Sequence, residues 1–290
     1  MTDGKLTLDL GEGRLKGTGD VDLFYRCWRP ATPRGVLVLV HGAGEHCGRF
    51  DHVARTLAGR GLAVYGYDHR GLGRSGGRRG HLDRFSDYLN DLSLVIAEAR
   101  RLSPNLPLGL YGHSMGGAVV LAHGIHHPEG LAWVVATSPW LMLAVELPGW
   151  KKALGNWLSR IWPTLTMDAG VPARYLAHPP EVGEAYLKDP YVTLKVSARW
   201  YTEMVAGAAR TRAEAPRFTL PLLLLQAGDD RLVSPQASRQ FFEAAGSTDK
   251  TFRLYPGLYH ELHNEPEGLQ VVAEVADWLE PRLPADRTLP

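Results

Sequence analysis

Hydrophobic positions along the chain follow two different periods. Residues 6–10 and 21–25 alternate apolar with polar, the pattern of half-buried antiparallel strands. Gly35–Val40 is apolar throughout and rich in β-branched residues, as a strand covered on both faces of a parallel sheet must be. Residues 62–67, 108–111, 131–136 and 222–225 repeat that character. Residues 252–255 are shorter and more polar, which predicts a strand near the sheet edge.

Helical spacing fills the gaps. Residues 51–59 place Val53, Leu57 and Ala58 on one face. Residues 86–102 set Leu89, Leu92, Val95, Ile96 and Ala99 on one stripe, with Ser86 the expected N-cap. Residues 115–123 are small and apolar all round, so that helix should be buried. Residues 235–245 and 268–279 complete the set. Strand and helix alternate, which predicts an α/β fold: a mostly parallel central sheet with helices on both faces.

One stretch breaks the alternation. Residues 144–216 carry no buried-strand signal, yet hold Trp150, Trp157, Trp162 and Trp200 among short, proline-punctuated helical patterns. A structureless loop of that length is improbable inside a domain. The expected organisation is a core in two parts, 1–143 and 217–290, with a helical cap, 144–216, over the C-terminal edge of the sheet. Ligands bind at that edge in open α/β sheets.

Composition narrows the function. The chain has 290 residues, with 32 Lys+Arg against 31 Asp+Glu and 44% hydrophobic residues. One core accommodates up to roughly 300 residues. The near-neutral charge argues against a polybasic nucleic-acid binder. Cys27 and Cys47 are the two cysteines, too few for a disulfide framework or a Cys-based zinc set. The polar N-terminal stretch does not read as a signal peptide. No apolar run reaches the ~18 residues of a membrane span. A cytoplasmic protein is expected, with no cofactor and no metal. Composition does not set the oligomeric state.

The chemistry is concentrated in four places. Gly112-His113-Ser114-Met115-Gly116-Gly117 sits between an expected buried strand and an expected buried helix. That is the context in which G-x-S-x-G forms a nucleophile elbow. The turn lifts the Ser114 hydroxyl above the sheet, at a helix N-terminus where a developing anion is favoured. His41-Gly42-Ala43-Gly44-Glu45-His46 follows the strand Gly35–Val40. In this arrangement the backbone N–H groups of Ala43 and Met115 are the expected oxyanion donors. His41 is read as a brace for the loop, since two His five apart make a poor metal site. The acid should end the strand at 222–225, where Asp229 and Asp230 both stand. The register of the following Arg231-Leu232-Val233 favours Asp230, with Asp229 the rival. The base should follow the last strand, which leaves His260, favoured by position, and His263. An imidazole base with a pKa near ~6.5 predicts activity that falls as pH drops below that value.

The chain resembles the monoacylglycerol lipase and lysophospholipase branch of the serine α/β-hydrolases. The resemblance rests on His41–His46, Asp68-His69-Arg70-Gly71-Leu72-Gly73-Arg74-Ser75, Gly112–Gly117, Leu224–Arg231 and Tyr259-His260-Glu261-Leu262. It implies the α/β-hydrolase fold and an ester hydrolase that cleaves monoacylglycerol through an acyl-enzyme. Lysophospholipase, general carboxylesterase and thioesterase activities are the alternatives on the same triad. It supports Ser114, Asp230 and His260, with Ala43 and Met115 as oxyanion donors. Caps of this family offer a Glu to the glycerol head group, which points to Glu181 or Glu184.

The cap adds one more expectation. Leu141, Met142, Leu143, Val145, Leu147, Trp150, Leu154, Trp157, Leu158, Ile161 and Trp162 are dense for one short region. They suit an acyl tunnel and a rim that touches a membrane or micelle surface, with Lys151, Lys152 and Arg160 as interfacial anchors. The expected partner is thus a small lipid ester, met at an interface. Cys47 lies beside the oxyanion loop, where a bulky thiol reagent would inhibit.

Overall fold

A computed structural model describes residues 8–145 and 148–285, with residues 151 and 152 described by their backbone alone. Residues 6 and 7 of the first expected strand, Leu147, and the side chains of Lys151 and Lys152 lie outside the described residues. The central sheet contains β1 (Leu8–Lys16), β2 (Asp22–Pro30), β3 (Gly35–Val40), β4 (Leu62–Tyr67), β5 (Leu108–His113), β6 (Leu131–Thr137), β9 (Leu222–Ala227) and β10 (Lys250–Tyr255). Their spatial order is β1-β2-β4-β3-β5-β6-β9-β10. The pairs β1–β2 and β2–β4 are antiparallel, and every pairing from β4 onward to β10 is parallel.

The continuous apolar runs are explained by helices on both faces. β3, β4, β5 and β9 are buried at every position. Val36, Val38 and Val40 face one layer, with α2 (Phe85–Leu102), α3 (Met115–His126) and α7 (Pro235–Ala244). Leu37 and Leu39 face the other layer, with α1 (Asp51–Ala58) and α8 (Gly268–Leu279). β10 is the edge strand and stays half-buried.

Two boundaries differ from expectation. The opening strands run on past their expected ends, to Lys16 and Pro30, because they pair with one another over nine registered residues, and β2 begins one residue later than expected, at Asp22. Ser86 does not cap its helix. α2 starts at Phe85, and the Asp87 carboxylate accepts the Arg84 N–H at 3.1 Å from within the first turn.

Between β6 and β9 the chain forms α4 (Gly149–Ile161), α5 (Pro180–Lys188) and α6 (Ala198–Ala213). A short antiparallel ladder, β7 (Thr166–Asp168) with β8 (Lys195–Ser197), ties the segment together. Three-residue strands leave no hydrophobic period to read. α6 is anchored through Trp200, whose Nε1–H donates to the Tyr88 hydroxyl at 2.8 Å in the core. No described helix is long and apolar enough to cross a membrane.

Candidate active site

Ser114 is the single residue between the end of β5 and the start of α3. Its φ of 53° and ψ of −116° lie outside the regions an L-residue favours, a strain of about 1–3 kcal/mol that surrounding contacts must hold. The contacts are present. Ser114 N–H donates to Thr137 O at 3.0 Å, and Ser114 O accepts from Trp140 N–H at 2.8 Å and Ala118 N–H at 3.1 Å. A Cβ at Gly112 would overlap the Gly116 carbonyl, and one at Gly116 would overlap the Val40 and His41 carbonyls. Glycine on both sides of the elbow is therefore a steric requirement.

The expected acid and base come from the ends of the last two sheet strands. Asp230 follows β9 and His260 follows β10, and both are buried. The Asp230 Oδ2 atom is 2.7 Å from His260 Nδ1. Its Oδ1 atom accepts the N–H groups of Leu232 and Val233, each at 2.9 Å. That leaves His260 Nε2 without a bond to Asp230. Asp229 is exposed instead and pairs with Arg231 at 3.3 Å. His263 is buried with its ring stacked on Phe50, 4.6 Å between centroids. Burial holds the His263 pKa down at about 3.

The loop after β3, the expected oxyanion loop, is fixed from several directions. His41 Nδ1 lies 2.8 Å from Gly42 O, while its Nε2 accepts the His69 N–H at 3.0 Å. Burial lowers the His41 pKa well below its usual value, so the ring is a neutral brace. Gly42 N–H donates to Glu45 Oε1 at 2.6 Å, and Gly44 O accepts Thr193 N–H at 2.7 Å. Met115 N–H is the first of α3 and has no acceptor within its own helix. Ala43 lines the same space as Ser114.

That space is a cavity of about 720 Å³. Its walls include Ala43, His113, Ser114 and His260 at the chemistry, and Val145, Trp150, Leu154 and Leu158 from the α4 side. Glu45, Tyr186 and Glu261 form a polar wall. Behind it Arg49 is buried between two acids. Its Nη1 donates to Glu45 Oε2 at 2.5 Å and to Glu261 Oε1 at 2.8 Å, and its Nη2 to Glu261 Oε2 at 2.9 Å. Burial, reinforced by the charge of Glu261, pushes Glu45 up to about 7. For Glu261 burial is outweighed by the forked bond from Arg49, which holds the pKa at about 2.

The serine aminopeptidase S33 family matches residues 31–267. The chain is 36% identical over 270 residues to a monoacylglycerol lipase of Mycolicibacterium smegmatis, covering 92% of this chain and 96% of the relative. It is 34% identical over 270 residues to a monoglyceride lipase of Mus musculus, covering 91% and 88%. The solved monoacylglycerol lipase of Paleococcus ferrophilus matches with a TM-score of 0.81 at 31% identity, covering 95% and 99%. The chain belongs to the monoacylglycerol lipase branch of the serine α/β-hydrolases.

In this hydrolase the structure brings Ser114, His260 and Ala43 to one cavity, buries Met115 next to Ser114 outside the cavity walls, and buries Asp230 behind His260. It does not bring the two cap acids there. Glu181 and Glu184 lie on the exposed side of α5, outside the cavity walls, and Glu184 pairs with Lys188 at 3.1 Å. The reason is helical phase: Tyr186, not the acids, is on the buried face of α5. Cys47 is buried and is not part of the cavity wall. Sequence reading missed Arg49 and Tyr186. The i,i+4 spacing of Glu45 and Arg49 was the available signal for the first.

Proposed function

We propose that this chain hydrolyses monoacylglycerols to glycerol and fatty acid through an acyl-enzyme on Ser114. His260 takes the Ser114 proton as Oγ attacks the ester carbonyl, with Asp230 holding the imidazole in one tautomer. The Ala43 and Met115 N–H groups receive the oxyanion. His260 then gives the proton to the departing glycerol oxygen. Water, deprotonated by His260, attacks the acyl-enzyme carbonyl; His260 gives that proton to Ser114 Oγ as the Oγ–acyl bond breaks and the fatty acid is released.

One observation supports the substrate: a single cavity joins Ser114 and His260 to an apolar wall from α4 and a polar wall from Glu45, Tyr186 and Glu261. The apolar wall suits an acyl chain, at about 0.8 kcal/mol per buried CH₂. The polar wall suits hydroxyl groups. Its guanidinium, Arg49, is already shared by two carboxylates, so a phosphodiester there would face negative charge. That argues for glycerol over a glycerophospho head group. The names of the Mycolicibacterium smegmatis and Mus musculus relatives agree. Exposed Trp157, Ile161 and Trp162 on and after α4 support contact with a lipid surface.

The test is a head-group panel at one acyl length: 1-monoacylglycerol, lysophosphatidylcholine and acyl-CoA, each with the parent and Ser114→Ala. Monoacylglycerol should turn over fastest, and Ser114→Ala should lose more than about 10³-fold. Comparable turnover by Ser114→Ala removes the mechanism, and faster turnover of lysophosphatidylcholine removes the substrate assignment.

A further inference from the structure

Glu265 is a buried acid that the chemistry above does not use. Its side chain is 0% exposed. Its partners are N–H groups from two separate parts of the chain. Tyr259 N–H donates to Oε1 at 2.5 Å. His178 N–H donates to Oε2 at 3.1 Å, and His178 Nδ1 lies 2.9 Å and 3.0 Å from the two oxygens. The His178 ring is stacked on Tyr259 with centroids 3.8 Å apart and planes 21° apart.

These contacts bracket His260. The N–H before it, on Tyr259, is held by Glu265. The N–H after it, on Glu261, donates at 2.7 Å to Leu176 O. Leu176 and His178 both belong to the segment just before α5. The imidazole is thus carried by a loop whose two flanking N–H groups are tied to the base of the cap, one directly and one through Glu265. Misplacing a catalytic group by about 1 Å costs on the order of 100-fold in rate, so the angle of this loop matters to the chemistry.

We propose that Glu265 is a positioning residue for His260, mounting the histidine loop on the cap segment Leu176–His178. The cap base is then a working part of the site, and opening of the cavity falls to the α4 side. This rests on His260 being the base that serves Ser114.

The test compares the parent, Glu265→Gln, Glu265→Ala and His178→Ala on a soluble short-chain ester. Rates are expressed per site titrated with a fluorophosphonate, which also reads the nucleophile in the parent. If Ser114 is not the nucleophile, the parent fails to label there, a result distinct from any change among the Glu265 variants. Glu265→Ala should lower kcat about 100-fold, with KM within about threefold of the parent. Glu265→Gln keeps an acceptor for Tyr259 N–H and should recover much of that loss. His178→Ala keeps Glu265 and the Leu176 carbonyl and should lose less than either. A merely structural role would lower the titratable fraction or the melting temperature and leave kcat per site unchanged. That result overturns the proposal. If Glu265→Ala does not fold, Glu265→Met, which fills the space but also removes the acceptor, decides: kcat per site within about twofold of the parent overturns it, and a larger fall at unchanged KM supports it.

Discussion

The Asp230 carboxylate and the His260 imidazole meet at 2.7 Å through Nδ1, with both groups out of water. Burial works against charge on the ring, but the Asp230 charge and hydrogen bond outweigh it and raise the His260 pKa above 6.5. The base must be neutral to accept a proton, so kcat/KM should rise with pH through that raised value. Asp230→Asn removes the charge. It should move the rise to lower pH and cut kcat by about 10⁴-fold. Rate profiles from pH 5 to 9 check both; an unmoved limb in Asp230→Asn assigns the titration to another group.

The Ser114 elbow predicts intolerance of a single methyl. A Cβ at Gly116 meets two carbonyl oxygens of the β3 end and the oxyanion loop, and backbone cannot step aside as a flexible side chain would. Gly116→Ala should either lower the melting temperature by several degrees or leave a fold with displaced oxyanion donors. The displacement should reduce fluorophosphonate labelling by about 10²-fold or more. Normal labelling and stability together would show that the elbow can shift.

Arg49 carries a stability prediction. It is buried between Glu45 and Glu261, and breaking a buried pair by removing one partner costs about 3–5 kcal/mol. Arg49→Met should lower the melting temperature by roughly 10 °C for a chain of this size. Adding Glu45→Gln and Glu261→Gln should restore part of that loss, since the stranded charges go with them. Calorimetry on the single and triple variants gives the comparison; no recovery would mean that Arg49 acts by packing.

The same cluster sets a pH dependence. Glu45 is raised from 4.5 to about 7, so its contribution to folding is full below 4.5 and lost as pH rises through about 7. Glu261 is lowered from 4.5 to about 2, so its contribution is full above 4.5 and lost as pH falls toward 2. The pair favours folding most near pH 4.5. Glu45→Gln removes the alkaline-side loss, and its melting temperature should gain on the parent between pH 5 and 8. A constant difference across that range would place the Glu45 proton elsewhere.

Much of this was legible before any coordinates, and the reason is local chemistry. β3 and β4 are bounded by residues that cannot extend a buried strand, so Gly35–Val40 and Leu62–Tyr67 stand out by composition alone. The Ser114 elbow is a contiguous motif whose glycines are dictated by contacts within the same turn. The register of Arg231-Leu232-Val233 favours Asp230 over Asp229, and the contact that distinguishes the two is with a residue 30 positions away. Glu265 and His178 were not legible at all in their roles, and Arg49 showed only half of its role, through Glu45 four residues before it. The remaining partners are distant in the chain, and a surface Glu and a buried Glu look alike as letters. The Glu181 and Glu184 expectation failed on helical phase, which a single turn of prolines and acids does not reveal.

The exposed face of α4 predicts how activity depends on the physical state of the substrate. Trp157, Ile161 and Trp162 are 58%, 58% and 59% exposed, an apolar display that water disfavours and a lipid surface accepts. Replacing all three with Ser should weaken binding to phospholipid vesicles and slow hydrolysis of vesicle-borne monoacylglycerol. Hydrolysis of a soluble short-chain ester should be unchanged. Equal loss on both substrates would make the face part of the fold.

Trp150 and Leu154 belong to two surfaces at once: they line the cavity, and they are 66% and 44% exposed. Trp150 and Leu154 thus offer an apolar path from the outer face of α4 to the cavity. A fatty chain leaving a bilayer along it would travel from hydrocarbon to hydrocarbon without an aqueous interval. Turnover would then track how crowded the substrate is within the plane of the lipid sheet, and dilution of the suspension at constant lipid composition would matter little once the enzyme has landed.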